Sequence, residues 1–263
     1  VIDKCLPRLQ CISKYGIGLD KIDVAYATEK KIPVLFTPGV NHTTVAEHAI
    51  GFMLSLSKKI QSNANDVRDG KWVAGWKKPV GNEIMGKTLG IIGMGRIGKE
   101  VATRARAFGM EVIAFNRTFD TEFAAQHGIQ QGASAQEVIE AADIISLHCA
   151  LTPETKYLID AEQIERLKDG VTIINCARGE VVHSGDVAAA LASGKIAGFA
   201  ADVLDAEPPA ADHPLLNAPN SIITAHIASR THESVQRQAN RSLNNLINFF
   251  EGGDDILCAN GVI

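Results

Sequence analysis

The chain has no apolar run long enough to span a bilayer, and no signal-peptide pattern opens it. No membrane association is expected, and a cytoplasmic location is. Cysteine is scarce: Cys5, Cys11, Cys149, Cys176 and Cys258 are odd in number and include no C-x-x-C pair. That usage argues against a disulfide framework or a structural zinc and fits a reducing compartment. The eight histidines form no ligand-spaced cluster with cysteine or carboxylate, so no metal is expected. Positive charge is not in excess, since 26 Lys and Arg face 30 Asp and Glu. A net charge of −4 gives no reason to expect a nucleic-acid partner or an anionic lipid surface. Low-complexity tracts and convincing repeats are missing too. So is an initiator Met: "VIDKCLPRLQ" enters mid-pattern, and an N-terminal truncation inside a domain is the expectation.

What remains is a chain of 263 residues, 46% hydrophobic and 21% charged. This is the balance of a soluble globular protein of one large or two ordinary domains. Short apolar runs alternate with helical patterns, which predicts parallel strands joined by crossover helices. Strands are predicted at 88–93, 111–115, 143–148, 171–176, 199–203 and 222–225, with helices at 135–141, 161–167 and 185–191. Ser184 is expected to cap the last helix through its hydroxyl. A helix after residue 96 would bury Ile97, Val101, Ala105 and Phe108 on one face, with Gly109 at its C-terminal cap. Upstream, residues 10–39 read as strand, glycine turn, short helix and strand. "HTTVAEHAIGFMLSLSKKI" reads as one long apolar helix and "ESVQRQANRSLNNLINFFEGG" as another. The segment 63–86, which holds Trp72 and Trp76, shows little periodicity.

The most informative stretch is "IIGMGRIGKEVATRARAFGMEVIAFNRT", residues 91–118. Gly93-x-Gly95-x-x-Gly98 stands between a predicted strand and a predicted helix, the setting that turns a weak glycine triplet into a dinucleotide fingerprint. Gly93 permits the tight turn, Gly95 lets backbone approach a pyrophosphate, and Gly98 lets helix pack closely on strand. The helix start offers free N–H groups and its positive dipole end to phosphate. An acid is expected about 20 residues on, to bind the ribose hydroxyls. Asn116 stands there instead. Asn can still bond a hydroxyl but does not repel a phosphate, and Arg117 could grip a 2′-phosphate with Thr118 adding a hydroxyl. The cofactor is therefore NADP or NAD, with a lean to NADP that nearby Asp120 tempers.

Ligands of open α/β sheets bind beyond the carboxyl ends of the strands. Arg178, Glu207 and His226 each follow a different predicted strand, which makes them candidate catalytic residues. "LGIIGMGRIG", "LHCALTPETKYLI", "INCARGEVV", "AADVLDAEPP" and "ITAHIAS" follow one another in this order. Together they resemble the D-isomer-specific 2-hydroxyacid dehydrogenases, and the similarity covers essentially the whole chain. The resemblance implies a doubly wound α/β Rossmann domain over 42–232, with a dimerisation segment at 60–86. It also implies an incomplete flavodoxin-like substrate domain made of 1–41 and 233–263. Arg178 would orient the substrate, His226 would be the acid/base, and Glu207 would hold its ring and favour the imidazolium. Ile17 and Gly18 would hold the substrate carboxylate with backbone N–H groups. Arg96 and Ile97 would meet the pyrophosphate, Cys149, Cys176 and Ala177 would line the cofactor, and Asp202 would meet the nicotinamide amide.

The implied reaction moves a hydride between NAD(P)H and a 2-keto acid of hydroxypyruvate, glyoxylate or phosphoglycerate type, in a homodimer. The alternative is a non-catalytic dinucleotide-sensing scaffold of the co-repressor type. Formate dehydrogenase shares the fold but carries Gln where Glu207 stands. Ala150 and Ala225 occupy places where members of the family usually have Pro, so φ there is freer. Arg230 and Lys14 are charged neighbours of the implied site, each readable as a surface residue. Cys149 and Cys176 read as packing rather than as reactive thiols, because no activating base adjoins them.

Overall fold

The computed structural model describes residues 1–262. The chain divides into two compact units, one made of Val1–Thr44 and Ser229–Ile263 and the other of Val45–Ala228. In chain order, the first unit opens with α1 (Ile2–Cys5), β1 (Ile12–Ser13), α2 (Val24–Glu29) and β2 (Val34–Leu35), followed by α3 (His42–Ser57), which leads into the second. The second unit continues with α4 (Ile60–Arg68), β3 (Thr88–Ile92), α5 (Arg96–Ala107), β4 (Glu111–Phe115), α6 (Thr121–His127) and β5 (Ile129–Gln131). It goes on through α7 (Ala135–Ala141), β6 (Ile144–Leu147), α8 (Ala161–Arg166), β7 (Val171–Asn175), α9 (Ser184–Ser193), β8 (Ile196–Ala201) and β9 (Ser221–Ile223). The chain closes with α10 (His232–Glu251) in the first unit. Among the described residues, no helix is long and apolar enough to cross a membrane.

The larger unit holds a seven-stranded sheet of order β5-β4-β3-β6-β7-β8-β9, with every pairing parallel. This is a Rossmann-type doubly wound sheet: order reverses beside β3, with β4 on one flank and β6 on the other. Both faces are covered, which is why the strands are near-continuous apolar runs. Ile145, Ile173 and Phe199 pack into the core on one face. Their chain neighbours Ile144, Ile174 and Ala200 pack into the core on the other, as a period of two requires.

The first unit is smaller. β1 and β2 pair in parallel, Ile12 opposite Val34, around a core of Ala27, Ile32 and Val34. Thr231 caps α10 by accepting from Ser234 N, and Gly252 ends it in the left-handed conformation at φ 77°. Asn245, fully buried on α10, donates to Phe36 O and accepts from Leu257 N.

Four sequence expectations are corrected. The long helix expected over 42–60 is present as α3 but stops at Ser57, because Lys59 takes φ 55° and Ser57 O accepts from Asn82 N at 2.7 Å, turning the chain. The supposedly aperiodic segment that follows begins inside α4 and contains a 3-10 turn at Gly75–Lys77. α5 buries Gly98, Val101, Ala102 and Ala105, whereas Phe108 is 44% exposed; the crossover packs so closely that small residues face the sheet. The N-cap of α9 is His183, and Ser184 is already helical. Two short elements, α6 and β5, have no counterpart in the sequence reading; α6 is nonetheless capped at Asp120, which accepts from Phe123 N, and ends at Gly128 with φ 62°.

At the amino edge of the sheet, Asp143 accepts from Thr88 N at 2.8 Å and from Lys168 Nζ at 3.0 Å. Burial raises its pKa, but the Thr88 amide and Lys168 outweigh burial and hold the carboxyl below its ordinary range. The folded state thus favours the carboxylate. That stabilisation is complete above about pH 3.9 and disappears as pH falls through the lower folded value. Asp143→Asn is expected to cost about 1 kcal/mol at pH 7. In urea denaturation across a pH series, the gap from the parent should narrow as pH falls below about 3.9.

Candidate active site

The carboxyl edge of the sheet carries the candidate site of the larger unit. β4, β3, β6, β7 and β8 lie side by side, and after each stands a candidate cofactor residue. Asn116, Arg117 and Thr118 follow β4, Gly93 follows β3, and Cys149 lies two residues beyond β6; Cys176 and Ala177 follow β7, and Asp202 follows β8. Gly95 is the N-cap of α5, with no side-chain cap bond, and Arg96, Ile97 and Gly98 form its first turn. The first amides of that helix therefore have no acceptor in the chain's own side chains, the arrangement that suits an anion.

The glycines divide by what surrounds them. Gly93 has φ 100°, and a Cβ there would meet His148 C and Cys149 N at 2.6 Å. A Cβ on Gly98 would lie 2.2 Å from Gly93 O. These two let β3, α5 and the end of β6 touch backbone to backbone. Gly95 differs: a Cβ there meets nothing within 4 Å. The space over the helix start is open and fits the pyrophosphate of a dinucleotide.

At the end of β4, Asn116 Nδ2 donates to Thr118 O at 2.6 Å, turning the chain away from the strand. Arg117 is exposed. Glu154, whose carboxyl is lowered chiefly by a hydrogen bond from Thr152, also feels the charge of Arg117. Asp120, the acid closest in sequence, is held by Lys99 Nζ and by Phe123 N, and its pKa is lowered chiefly by Lys99. Its negative charge is already matched within the chain.

On the far side, Asn175 at the end of β7 is fully buried. It donates to Arg178 O at 2.9 Å and accepts from Ala177 N at 3.0 Å, locking the loop that carries Arg178. Arg178 Nη1 donates to Ala177 O at 2.7 Å. Gly179 is the tightest point of the site: a Cβ would fall 1.9 Å from Leu204 C. The Arg178 loop thus lies against the loop that leads from β8 to Glu207. That second loop is braced by His213 Nε2, which donates to Asp205 Oδ1 at 2.8 Å while His213 Nδ1 accepts from Leu215 N.

His226 and Glu207 meet. His226 Nδ1 lies 2.9 Å from Glu207 Oε2, and Glu207 Oε1 accepts from Leu204 N at 3.2 Å. A carboxylate only accepts, so Nδ1 carries a hydrogen and Nε2 is the ring atom left to give or take a proton. The ring is 54% exposed, as a group that must reach an incoming molecule has to be. His226 itself sits at φ 53°, an uncommon conformation for a side-chain-bearing residue and one that needs support from its surroundings. Asp202 provides it. Only 2% exposed, Asp202 accepts from Thr224 Oγ1 and Ile227 N on one oxygen and from Ala228 N on the other, at 2.5, 2.8 and 2.7 Å. Both of its oxygens are thus engaged in the turn that bears His226, a role the sequence reading did not assign it.

The remaining candidates belong to the smaller unit or are inert. Ile17 and Gly18 belong to the smaller unit, beside Gly16, which donates to Thr37 Oγ1 at 2.9 Å and accepts from Thr37 N at 3.1 Å. Burial pushes the Cys149 thiol up to about 11. Burial also raises Cys176, with the charge of Asp202 adding to it. Neither supplies a thiolate near neutral pH. Burial holds the His148 imidazole down at about 4, and its Nε2 bonds Ser146 Oγ at 2.8 Å. Asn175, Gly179, His213 and His48 escaped the sequence reading. The glycine after Arg178 was the one signal available, since Gly next to a candidate catalytic residue marks close backbone approach; Asn175 and His48 lie in apolar or helical patterns that look like core, and His213 stands in a loop with no motif around it.

Comparison with known proteins gives a consistent result. The sequence profile of the D-isomer specific 2-hydroxyacid dehydrogenase, NAD binding domain, matches residues 50–228. A glyoxylate reductase of Korarchaeum cryptofilum is 37% identical over 94% of this chain and 74% of its own length. A D-3-phosphoglycerate dehydrogenase of Archaeoglobus fulgidus is 40% identical over 86% of this chain, which spans only 42% of that protein. Among solved structures, a D-lactate dehydrogenase of Aquifex aeolicus, complexed with NAD and lactic acid, superposes with a TM-score of 0.87 at 32% identity, covering 95% of this chain and 78% of that one.

Gly179→Ala and Gly95→Ala separate the two kinds of glycine. The first forces Leu204 aside and is expected to destabilise by about 1–3 kcal/mol, read as a lowered thermal midpoint. The second is expected to leave stability within about 0.5 kcal/mol of the parent while weakening dinucleotide binding measured by calorimetry.

Proposed function

The chain belongs to the D-isomer-specific 2-hydroxyacid dehydrogenases, and on that premise we propose that it reduces a small 2-keto acid to the D-2-hydroxy acid with a nicotinamide dinucleotide. The His226–Glu207 pair carries the reading: a half-exposed imidazole held through Nδ1, with Nε2 free. With its pyrophosphate at the glycine turn, a reduced nicotinamide dinucleotide would supply the hydride for C2 of the substrate. His226 gives its Nε2 proton to the C2 oxygen as charge builds there, and takes the hydroxyl proton in the reverse direction. Glu207 fixes the ring and compensates the imidazolium. Arg178 binds the substrate carboxylate and orients C2.

For the cofactor we favour NADP. Asn116 brings no negative charge to the end of β4, Asp120 is matched by Lys99, and Arg117 is exposed at the place where a 2′-phosphate would lie. We also propose a homodimer formed through residues 60–86. Trp72, Trp76, Val80 and Met85 are 75%, 90%, 79% and 67% exposed, and so much exposed apolar surface in one segment asks for a partner.

Three measurements test these readings. Absorbance of the reduced nicotinamide is followed with glyoxylate, hydroxypyruvate and phosphohydroxypyruvate; turnover is expected, and His226→Gln is expected to lower kcat by about 10²-fold or more. Tight dinucleotide binding with no turnover of any keto acid would point to a sensing scaffold instead. Arg117→Ala should weaken NADPH about tenfold or more and leave NADH unchanged, by calorimetry; a parent that binds NADH better than NADPH refutes the phosphate role. Trp72→Arg with Trp76→Arg should turn a dimer into a monomer in sedimentation, and a parent that sediments as a monomer removes the dimer.

A further inference from the structure

His226 is held in a left-handed turn by hydrogen bonds to Asp202, but the turn has no covalent restraint: Ala225 leaves its own φ free. What fixes the turn must come from the groups around Asp202. Two amides, Ile227 N and Ala228 N, belong to the turn itself. The third donor, Thr224, carries one hydroxyl hydrogen and gives it to Asp202 Oδ1 at 2.5 Å. The Thr224 oxygen is then left with lone pairs only. At 3.1 Å from it stands His48 Nε2, on α3. With the Thr224 hydrogen committed, His48 is the donor and Thr224 the acceptor.

His48 is itself held. Phe52, one helical turn on, packs edge-on against its ring at 4.4 Å between centroids and 76° between planes. His48 Nε2 also lies 3.8 Å from Asp202 Oδ1. Burial lowers the pKa of His48, and the Asp202 charge partly opposes that. The result is one chain of donors, from α3 through Thr224 to Asp202, that ends on the two amides flanking His226 on its C-terminal side.

We propose that His48 is a positioning residue for His226: by donating to Thr224 it keeps the Thr224 hydroxyl aimed at Asp202, and so keeps Asp202 in place to hold the turn that presents the His226 ring. This rests on the acid/base reading of His226. Without the donor the Thr224 hydroxyl can rotate, Asp202 loses its fixed third partner, and the ring shifts relative to the substrate oxygen. Small misplacements of a catalytic group are enough to slow turnover heavily.

The test uses the whole chain. His48→Ala and Thr224→Val, the second removing only the hydroxyl's chemistry, are expected to lower kcat about tenfold or more, with dinucleotide affinity unchanged. His48→Gln keeps an N–H donor and Thr224→Ser keeps the hydroxyl, so both should recover most of the loss. The pair His48→Ala and Thr224→Val together should be no slower than the worse single variant, because both break one chain. A second readout needs no turnover: the ring resonances of His226, identified by their disappearance in His226→Gln, should shift in His48→Ala. Unmoved resonances overturn the proposal, as does an unmoved kcat in a parent that turns over, or losses that add. A parent that turns over no keto acid defeats the proposed reaction instead, and the His226 resonances alone then decide the role of His48.

Discussion

Backbone contact at the carboxyl edge of the sheet is the constraint on which the rest depends. Gly98 lies against Gly93 O, Gly93 against His148–Cys149, and Gly179 against Leu204–Asp205. Each contact excludes even a methyl group. They hold the ends of β3, β6, β7 and β8 at fixed spacing, so that residues distant in sequence face one space. Gly95 is the exception that gives the edge its use, because the volume above it is open. The same chemical simplicity serves packing in one place and access in another.

Upon this scaffold two carboxylates work in opposite surroundings. Asp202 is buried and surrounded by donors, as a buried charge must be. Its hydrogen bonds are spent on holding one turn in a conformation that backbone sterics disfavour. Glu207 is partly exposed and holds the ring that the turn presents. One carboxylate shapes and the other orients, and burial decides which does which. The thiols beside them, Cys149 and Cys176, are pushed away from ionisation by the same burial. The edge thus presents the half-exposed His226 imidazole, with Nε2 turned outward, beside thiols that burial keeps protonated near neutral pH.

Much of this is legible in one dimension. The strands β3, β4, β6, β7, β8 and β9 stand close to the apolar runs that announce them, because a strand covered on both faces must be apolar along its length. The glycine triplet, the strand-end Arg178, Glu207 and His226, and Asn116 in the place of an acid can all be read from spacing. Less legible were the elements whose pattern is set by neighbours. The break at Lys59 depends on Asn82 reaching back to Ser57, and the buried face of α5 depends on how closely β3 approaches. Short α6 and β5 carry too few residues for a period to show. Asp202 was visible as a strand-end acid, yet its partners lie more than twenty residues further on, in a turn of otherwise ordinary residues.

Order along the chain, then, determined the larger unit's architecture and named the side chains with chemistry, since hydrophobic period and glycine spacing are local properties that do not wait for a partner. Only tertiary structure decided what each polar group does. It set Asp202 beneath the turn of His226, drew His48 from a helix that reads as plain core to Thr224, and pressed Gly179 onto Leu204. The physical reason is that hydrogen bonds and steric contact act over about 3 Å in space, and nothing along the sequence records which distant atoms come that close.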